Sequence, residues 1–288
     1  MTPQVLYNGA FLSEREASIG VDDGGWLHGA GLFETMRAEN GRIFRLESHM
    51  QRLMKSAAKL LRPIERDSLP CEDDFNTLLE RLNLKTARVR MTVSAGCMRA
   101  NQADSEAELN ICVTAVALTT YPAKLYEDGV SVIVSAYRRS PTDPIAGHKT
   151  TSHLPQLLAL REAQSARCVE ALWFTTNHQL AEGSISNVFV VKHGAVKTPP
   201  LDTPVLPGIA RGVVLEIAAE MEIEAGEARL TIDDLLDADE VFLTNTIMQV
   251  MPVVGVEKHM ISEGRVGPVS RKLREEFRVL VKKECSHP

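Results

Sequence analysis

The stretch "IAGHKTTSHLPQLLALREA", residues 145–163, places Lys149 among small and hydroxyl-bearing residues just before a predicted helix. No acidic residue lies between Ile145 and Arg161. A lysine becomes a nucleophile when its ammonium is desolvated and no carboxylate holds its proton. A lysine at such a position is more commonly a solvated surface charge before a helix cap. The pattern is therefore consistent with two interpretations of Lys149: a reactive amine or an ordinary surface charge.

Glu182 is the second candidate, in "LAEGSISNVFVV", where it follows a predicted strand and precedes a turn of small residues. A carboxylate placed against a pyridine nitrogen keeps that nitrogen protonated, and the ring then acts as an electron sink. The alternative is an exposed glutamate in a turn, which is the commoner situation for a residue of this type.

The third candidate is "LPGIAR", residues 206–211, which runs directly into the predicted helix "GVVLEIAAEM". A Pro-Gly turn entering a helix leaves the N–H groups of Ile209 and Ala210 unpaired at the positive end of the helix dipole, where they can bind a phosphate. An ordinary helix start is the alternative. Thr244 and Thr246 add hydroxyl groups at the end of a strand. A lysine, a carboxylate and a phosphate cradle are what pyridoxal 5'-phosphate (PLP) requires.

Predicted hairpins dominate the first half of the chain, and strands mix with helices in the second half. Asn8-Gly9 and Asn40-Gly41 are the predicted hairpin turns, and "ESHMQRLMKSAAKL" has helical spacing of its apolar residues. This pattern predicts an α+β (mixed α/β) fold with an N-terminal domain over residues 1–118, a linker over 119–129 and a C-terminal domain over 130–288 that carries Lys149.

The helix after Lys149 is expected to be capped by Ser152. Three leucines, Leu154, Leu157 and Leu158, are expected to anchor this helix in the core. A helix anchored in this way would hold the backbone near Lys149 in a fixed position.

Composition narrows the classes of partner. The 288 residues carry a net charge of −6, which gives no concentrated basic surface for nucleic acid or an acidic membrane. The cysteines are odd in number and lack a C-x-x-C pair, which favours reduced thiols in a cytoplasmic protein without a metal site. We identify neither a signal peptide nor an apolar run long enough to span a membrane. The five cysteines are Cys71, Cys97, Cys112, Cys168 and Cys285.

Three long motifs, "GLFETMRAENGRIFRLESHMQRL", "LAEGSISNVFVVKHG" and "LPGIAR", resemble those of the fold-type IV PLP enzymes. These are the branched-chain aminotransferases, the D-amino acid aminotransferases and the aminodeoxychorismate lyases. The resemblance extends from residue 8 to residue 256. It implies a two-domain enzyme with its active site at the domain interface, closed by a loop of a second subunit in a homodimer.

The resemblance also implies residue roles. Lys149 resembles the lysine that forms the internal aldimine and shuttles the proton between the substrate α-carbon and the cofactor. Glu182 resembles the partner of the pyridine nitrogen, and Arg52 the arginine on the phosphate. The remaining implied cofactor contacts are the backbone amides of Ile209 and Ala210, the hydroxyl of Thr246, and Leu206 against the ring face, with His49 and Asn187 in support. Ala210 stands where the family often has threonine.

Substrate contacts carry over less completely. Arg88, Arg90 and Thr92 share one face of a predicted strand. Arg90 resembles a family arginine that can bind a substrate carboxylate, although a solvated charge on the sheet is equally consistent. Phe33 is expected to line the pocket. The D-amino acid enzymes have Arg-x-His after the next glycine, whereas this chain has "GCMRANQ".

Arg99 in that sequence is a further substrate-binding candidate, but its shifted position and the missing histidine count against D-amino acid activity. His28 and Ala30 also depart from the family, which commonly has an aromatic residue and an aspartate there. The favoured function is a class IV aminotransferase acting on an amino acid, branched-chain-like or other, and a 2-oxo acid. The alternatives are 4-amino-4-deoxychorismate lyase and, less favoured, a non-catalytic binding module.

Overall fold

The computed structural model describes residues 4–98 and 108–286. The chain divides into two compact units: the first comprises Met1–Thr119, His148–Ser152 and Val281–Pro288, and the second comprises Thr120–Gly147 and His153–Leu280. The predicted domains differ from this division at three places. Residues 119–129 contain a helix, α4 (Ala123–Asp128). The segment with Lys149 and the residues from 281 onward both group with the first unit.

The first unit contains a six-stranded antiparallel sheet in the order β2-β1-β6-β5-β3-β4. Its strands are β1 (Gln4–Tyr7), β2 (Ala10–Ser13), β3 (Gly31–Glu39), β4 (Arg42–Ile43), β5 (Ala87–Ser94) and β6 (Asn110–Ala117). Its helices are α1 (Gly24–His28), α2 (Leu46–Leu60) and α3 (Glu72–Arg81), with a 3-10 turn at Arg66–Ser68. The hairpin predicted at Asn8-Gly9 is confirmed.

One face of this sheet forms the core of the first unit. Met50, Leu53 and Ala57 of α2 are buried against apolar residues of β3 and β5. The opposite face of β5 carries Arg88 and Arg90, which are exposed. Buried and exposed residues alternate along the first half of β5, because successive side chains of a strand point to opposite faces of the sheet. The predicted shared face of the two arginines is therefore confirmed.

The second unit contains a nine-stranded sheet, ordered β12-β11-β10-β13-β14-β7-β8-β9 with β15 beside β14. Its strands are β7 (Val130–Arg139), β8 (Glu170–Thr175), β9 (Leu180–Gly183), β10 (Asn187–Lys192), β11 (Ala195–Thr198), β12 (Ala225–Glu227), β13 (Glu240–Asn245), β14 (Gln249–Val256) and β15 (His259–Met260). Its helices, besides α4, are α5 (Leu154–Ser165), α6 (Ile209–Glu220), α7 (Ile232–Leu236) and α8 (Pro268–Glu284).

The central strands of this sheet are buried on both faces, which explains their nearly continuous apolar sequences. Every residue of β8 is buried, and Phe189 of β10 stacks on Phe242 of β13 with ring centroids 4.9 Å apart. A sheet covered on both sides gives the residues at its strand ends a rigid support.

Two predictions about helix α5, its capping residue and its buried face, are wrong. Its N-cap is His153, without a side-chain capping bond, and the Ser152 hydroxyl donates to the carbonyl of Gly29 instead. Leu154, Leu157 and Leu158 are 61%, 46% and 36% exposed, so the predicted core anchors are wrong. The helix buries Ala159 and Ala163 against Trp173, because small side chains allow it to lie close to the sheet.

Candidate active site

Lys149 is fixed to the first unit's sheet by backbone hydrogen bonds. The N–H of Phe33 donates to the Lys149 carbonyl at 2.9 Å, and the N–H of Thr151 donates to the Gly31 carbonyl at 2.9 Å. The segment therefore lies along the start of β3 as a short antiparallel partner. A side chain on such a support is better positioned than one on an unpaired loop.

Glycines make this arrangement possible. A Cβ atom at Gly31 would lie 2.9 Å from Thr151 Oγ1 and 3.0 Å from the Val93 carbonyl. Gly147 has φ +77°, and a Cβ there would lie 3.2 Å from the carbonyl of Val205. Both positions therefore disfavour any larger residue.

Phe33 brings Lys149 and Arg90 together. The Nζ atom of Lys149 lies 4.4 Å from the centroid of the Phe33 ring, and Cζ of Arg90 lies 3.8 Å from it. Nε of Arg90 also donates to Thr92 Oγ1 at 3.1 Å. Partial removal of the Arg90 guanidinium from water, and then the charge of Arg88, lower the pKa of Arg90. Lys149 and Arg90, which the family resemblance assigns to catalysis and substrate binding, thus lie over one aromatic ring, that of Phe33.

Arg52 is held by a buried carboxylate. Its Nε donates to Glu34 Oε1 at 2.8 Å, and Nη2 donates to Oε2. His49 Nδ1 lies 2.7 Å from the same Oε2. Burial alone would raise the pKa of Glu34, but the charge of Arg52 and the hydrogen bond with His49 lower it to about 2. Arg52 is therefore oriented by an ionised residue of β3.

His49 completes this cluster as a neutral ring. Burial lowers its pKa, against the opposing hydrogen bond and charge of Glu34. Beside an ionised Glu34, Nδ1 must carry the proton and donate it, so Nε2 is an acceptor. Within residues 4–98 and 108–286, Nε2 is buried without a hydrogen-bond partner. The ring thus presents an unsatisfied acceptor in the same unit as Lys149.

Glu182 lies in β9 of the second unit and is 7% exposed. Its Oε1 is 2.9 Å from Nη2 of Arg139, and its Oε2 accepts the N–H of Leu206 at 2.9 Å. Asn187 Nδ2 donates to the Leu206 carbonyl at 2.9 Å and lies 3.5 Å from Glu182 Oε2. The interpretation as an exposed turn residue is wrong, since this carboxylate is buried and held by three donors.

The predicted phosphate cradle is the first turn of α6. The helix begins at Ile209, and its N-cap residue Gly208 provides no side-chain cap. A Cβ at Gly208 would lie 2.0 Å from Asn187 Oδ1, so a glycine is needed where the chain enters the helix. Ala210 is buried and Ile209 is partly buried. The first-turn N–H groups stand at the positive end of a twelve-residue helix.

Hydroxyl groups lie at the end of β13. Thr244 pairs with Asn187 across the sheet, and its Oγ1 is buried without a hydrogen-bond partner in the described part of the chain. Thr246 follows in the turn before β14. Asn245 holds this turn by accepting the N–H groups of Ile247 and Met248 at 2.9 and 2.8 Å.

Side chains within each unit suit, by their chemistry, different groups of PLP. A PLP molecule has a phosphate, a ring nitrogen and an aldehyde. Arg52, the α6 amides and the threonine hydroxyls suit the phosphate, Glu182 suits the ring nitrogen, and Lys149 suits the aldehyde. Among the described residues Thr244 Oγ1 has no hydrogen-bond partner, and a polar ligand could supply one.

Three side chains of this region were not predicted from the sequence: Glu34, Arg139 and Glu170. Glu34 stands on the core face of β3 among Leu32, Met36 and Ala38, and a carboxylate on such an apolar face signals a buried partner. Arg139 and Glu170 lie at strand ends and carry no comparable local signal. Arg99, the remaining substrate candidate, lies outside the described residues.

Across residues 4–98 and 108–286, no helix is long and apolar enough to cross a membrane. The same residues contain no group of three or more His, Cys, Asp or Glu side chains that could hold a metal ion.

Comparison with known proteins gives a consistent result. Residues 31–256 match the family described as amino-transferase class IV. The chain is 35% identical over 283 residues to a putative branched-chain-amino-acid aminotransferase of Methanocaldococcus jannaschii, covering 96% of this chain and 95% of that protein. It is 28% identical over 284 residues to a D-alanine aminotransferase of Staphylococcus haemolyticus, covering 98% and 99%.

The fold agrees with these sequence relationships. A solved structure of a branched-chain amino acid aminotransferase from Escherichia coli superposes with a TM-score of 0.86 at 26% identity, covering 99% of this chain and 96% of that one. The α+β fold-type IV class inferred from the sequence is thereby confirmed. The chain belongs to the class IV aminotransferase family of enzymes.

Proposed function

We propose that this enzyme is a PLP-dependent transaminase that moves an amino group between a branched-chain-like amino acid and a 2-oxo acid. The observation that carries the proposal is the position of Lys149 and Arg90 on the ring of Phe33. An amino acid has an amine and a carboxylate on one carbon. The guanidinium of Arg90 can bind the carboxylate through two hydrogen bonds, and Lys149 beside it is the amine that can react where the amino group of the substrate binds.

The residues that the family resemblance assigns to the cofactor would serve PLP. Arg52, the amides of Ile209 and Ala210, and the hydroxyl of Thr246 would hold its phosphate, and Leu206 would pack on its ring. PLP, when bound, withdraws electrons from the substrate α-carbon. Lys149 would hold the aldehyde carbon of the cofactor and carry the α-proton.

Glu182 would face the pyridine nitrogen and keep it protonated. Its burial and the hydrogen bond from Leu206 support this assignment, since they fix an acceptor away from water. The identity to the putative branched-chain enzyme of Methanocaldococcus jannaschii supports a branched-chain-like substrate.

A lyase is the second candidate, because "IAGHKTTSHL" and "TNTIMQVMPV" resemble the corresponding stretches of aminodeoxychorismate lyases. Such an enzyme would use the same proton transfer by Lys149 and would then release pyruvate. The substrate, and not the set of cofactor-binding residues, distinguishes the two reactions.

The test is a single-turnover assay on the purified PLP-loaded enzyme. Each of L- and D-valine, leucine, isoleucine, alanine and glutamate is added alone, and the cofactor released on denaturation is identified by chromatography. A transaminase converts PLP to pyridoxamine phosphate with a branched-chain member of the panel, and Lys149→Ala does not. If no amino acid converts the cofactor and 4-amino-4-deoxychorismate yields pyruvate, the enzyme is a lyase.

We further propose that the enzyme is a homodimer. The first unit exposes a cluster of apolar side chains at and before α1, with Val21 83%, Trp26 76% and Leu27 49% accessible. A second copy of the chain would cover this surface, as the family resemblance implies, since a monomer rarely exposes so many large apolar side chains together. We also propose a cytoplasmic location, consistent with five cysteines that are all thiols.

A further inference from the structure

Arg139 is in direct contact with the carboxylate proposed for the pyridine nitrogen. Nη2 of Arg139 lies 2.9 Å from Oε1 of Glu182, and the two side chains are only 13% and 9% exposed. Ion pairs at an open surface contribute little to stability. This pair is largely removed from water, and charges interact more strongly in the protein interior than in water. Its geometry therefore affects the charge and orientation of Glu182.

The guanidinium is held on a rigid frame. The Arg139 carbonyl accepts the N–H of Thr176 at 3.0 Å, and its Cζ lies 5.2 Å from the ring centroid of Trp173. The indole N–H of Trp173 donates to Ser184 Oγ at 3.0 Å. Ser184 belongs to the turn that follows Glu182. Arg139 and the turn thus share Trp173 as a common support.

The other oxygen of Glu182 accepts the N–H of Leu206 and faces the amide of Asn187. Glu170 is the second titratable side chain beside this turn, and it accepts the N–H groups of Ser184 and Ile185. Leu206 and Asn187 contact Glu182 as neutral donors, whereas the guanidinium of Arg139 is cationic. An opposite charge at this distance favours an ionised carboxylate.

We propose that Arg139 is a positioning residue that fixes Glu182 in one orientation and in its ionised form, ready for the pyridine nitrogen of PLP. This inference rests on the proposed function. Arg139 acts through Glu182: an ionised Glu182 keeps the pyridine nitrogen protonated, and this positive charge disfavours protonation of the imine nitrogen that joins PLP to Lys149. Removal of Arg139 should therefore shift the pH titration of that imine nitrogen to higher pH and weaken cofactor binding.

The experiment compares two variants. Arg139→Met removes the positive charge, and Arg139→Lys keeps the charge but lacks the planar guanidinium with its several N–H donors. The pH midpoint of the visible absorption band of bound PLP and the PLP dissociation constant are measured without substrate. Arg139→Met should raise the midpoint by about 1 pH unit and weaken PLP binding about tenfold. Arg139→Lys should stay closer to the wild-type midpoint, which a merely structural role would not predict.

Arg138→Met is the matched control, because Arg138 donates to the carbonyls of Ser135 and Tyr137; it should keep the wild-type midpoint. A second comparison introduces Arg139→Lys into Glu182→Gln, where its remaining effect should disappear if Arg139 acts through Glu182. The comparison uses the lysine variant, because it keeps the positive charge at position 139. The inference is overturned if Arg139→Met keeps the wild-type midpoint, or if Arg139→Lys has the same effect with and without Glu182.

The wild-type protein separates this inference from the proposed function. A wild-type enzyme that binds no PLP would overturn the proposed function and the inference together. A wild-type enzyme with a normal PLP band and an unaffected Arg139→Met variant would overturn the inference alone.

Discussion

Glu34 and Arg52 form a two-point ion pair that is almost entirely removed from water, with side chains 1% and 9% exposed. Strand β3 supplies the carboxylate and helix α2 supplies the guanidinium. The proposed phosphate-binding arginine is thus oriented by the protein itself. Such preorganisation lowers the entropy that a ligand must lose on binding.

Glu34→Gln should destabilise the enzyme, because it leaves the Arg52 guanidinium buried beside a neutral amide. Breaking a buried ion pair costs about 3 kcal/mol in the free energy of unfolding. Urea denaturation of the wild type and the variant measures this loss. Glu47→Gln is the control, since Glu47 is 57% exposed in its pair with Arg66, and it should change stability by less than about 1 kcal/mol. Equal effects of the two substitutions would contradict the role of Glu34.

The Glu34 contribution should also depend on pH. The folded-state pKa of about 2 lies below the ordinary value of 4.5, so Glu34 stabilises the fold above pH 4.5, and this contribution disappears as the pH falls toward 2. The difference in unfolding free energy between wild type and Glu34→Gln should therefore shrink between pH 6 and pH 3. An unchanged difference would show that ionisation of Glu34 is not its source.

Arg90→Ala should raise the KM for the amino acid substrate by about tenfold to a hundredfold, because a forked charge-assisted contact with the carboxylate is lost. Steady-state kinetics with the best substrate of the panel measures the effect. Arg88→Ala is the matched control on the same strand face, two residues away and away from the Phe33 ring. A KM that changes equally in both variants would assign the effect to the general charge of the sheet.

Glu170→Gln should destabilise the second unit by about 2–3 kcal/mol. Oε1 of Glu170 accepts the N–H groups of Ala171 and Ser184, and Oε2 accepts the N–H of Ile185 and the hydroxyl of Ser186. An amide would direct an NH2 group at these donors. Chemical denaturation measures the loss, and the exposed Glu220→Gln in α6 should remain within about 0.5 kcal/mol of wild type. Wild-type stability of Glu170→Gln would show that the turn does not require an anion.

Trp26→Glu should weaken the proposed homodimer at least about tenfold, because it places an unpaired charge in an apolar interface. Light scattering over a dilution series measures the association. Met260→Glu is the control, since Met260 is also an exposed apolar side chain, at 66%, but lies in β15. If Trp26→Glu associates as tightly as Met260→Glu, the α1 surface is not the interface.

Local patterns predicted the parts of the fold that local physics determines. The Asn8-Gly9 turn and the helical spacing of α2 were correctly predicted, since a turn and an apolar stripe need only neighbouring residues. Helix α5 was predicted as a helix, but its buried face was not. It carries leucines and alanines on different faces, and only packing against Trp173 decides that Ala159 and Ala163 are inside.

The proposed site was predictable only in part, for the same reason. Lys149 and Glu182 stand in distinctive sequence surroundings and could be singled out. Arg139 and Glu34 matter because of the residues they contact in the fold, Glu182 and Arg52 respectively. Neither periodicity nor spacing in the sequence reveals these contacts. The exposed-turn interpretation of Glu182 failed because the backbone N–H of Leu206 and the side chain of Arg139 bury it.

The most direct test of the proposed chemistry is borohydride reduction of the purified enzyme, followed by peptide mapping with mass spectrometry. Reduction makes the bond between PLP and a lysine permanent. We predict a phosphopyridoxyl group on Lys149, its loss in Lys149→Ala, and its retention in Lys124→Ala, where an 80% exposed lysine is removed. A cofactor adduct on another lysine, or no adduct at all on the intact enzyme, would contradict the assignment of Lys149.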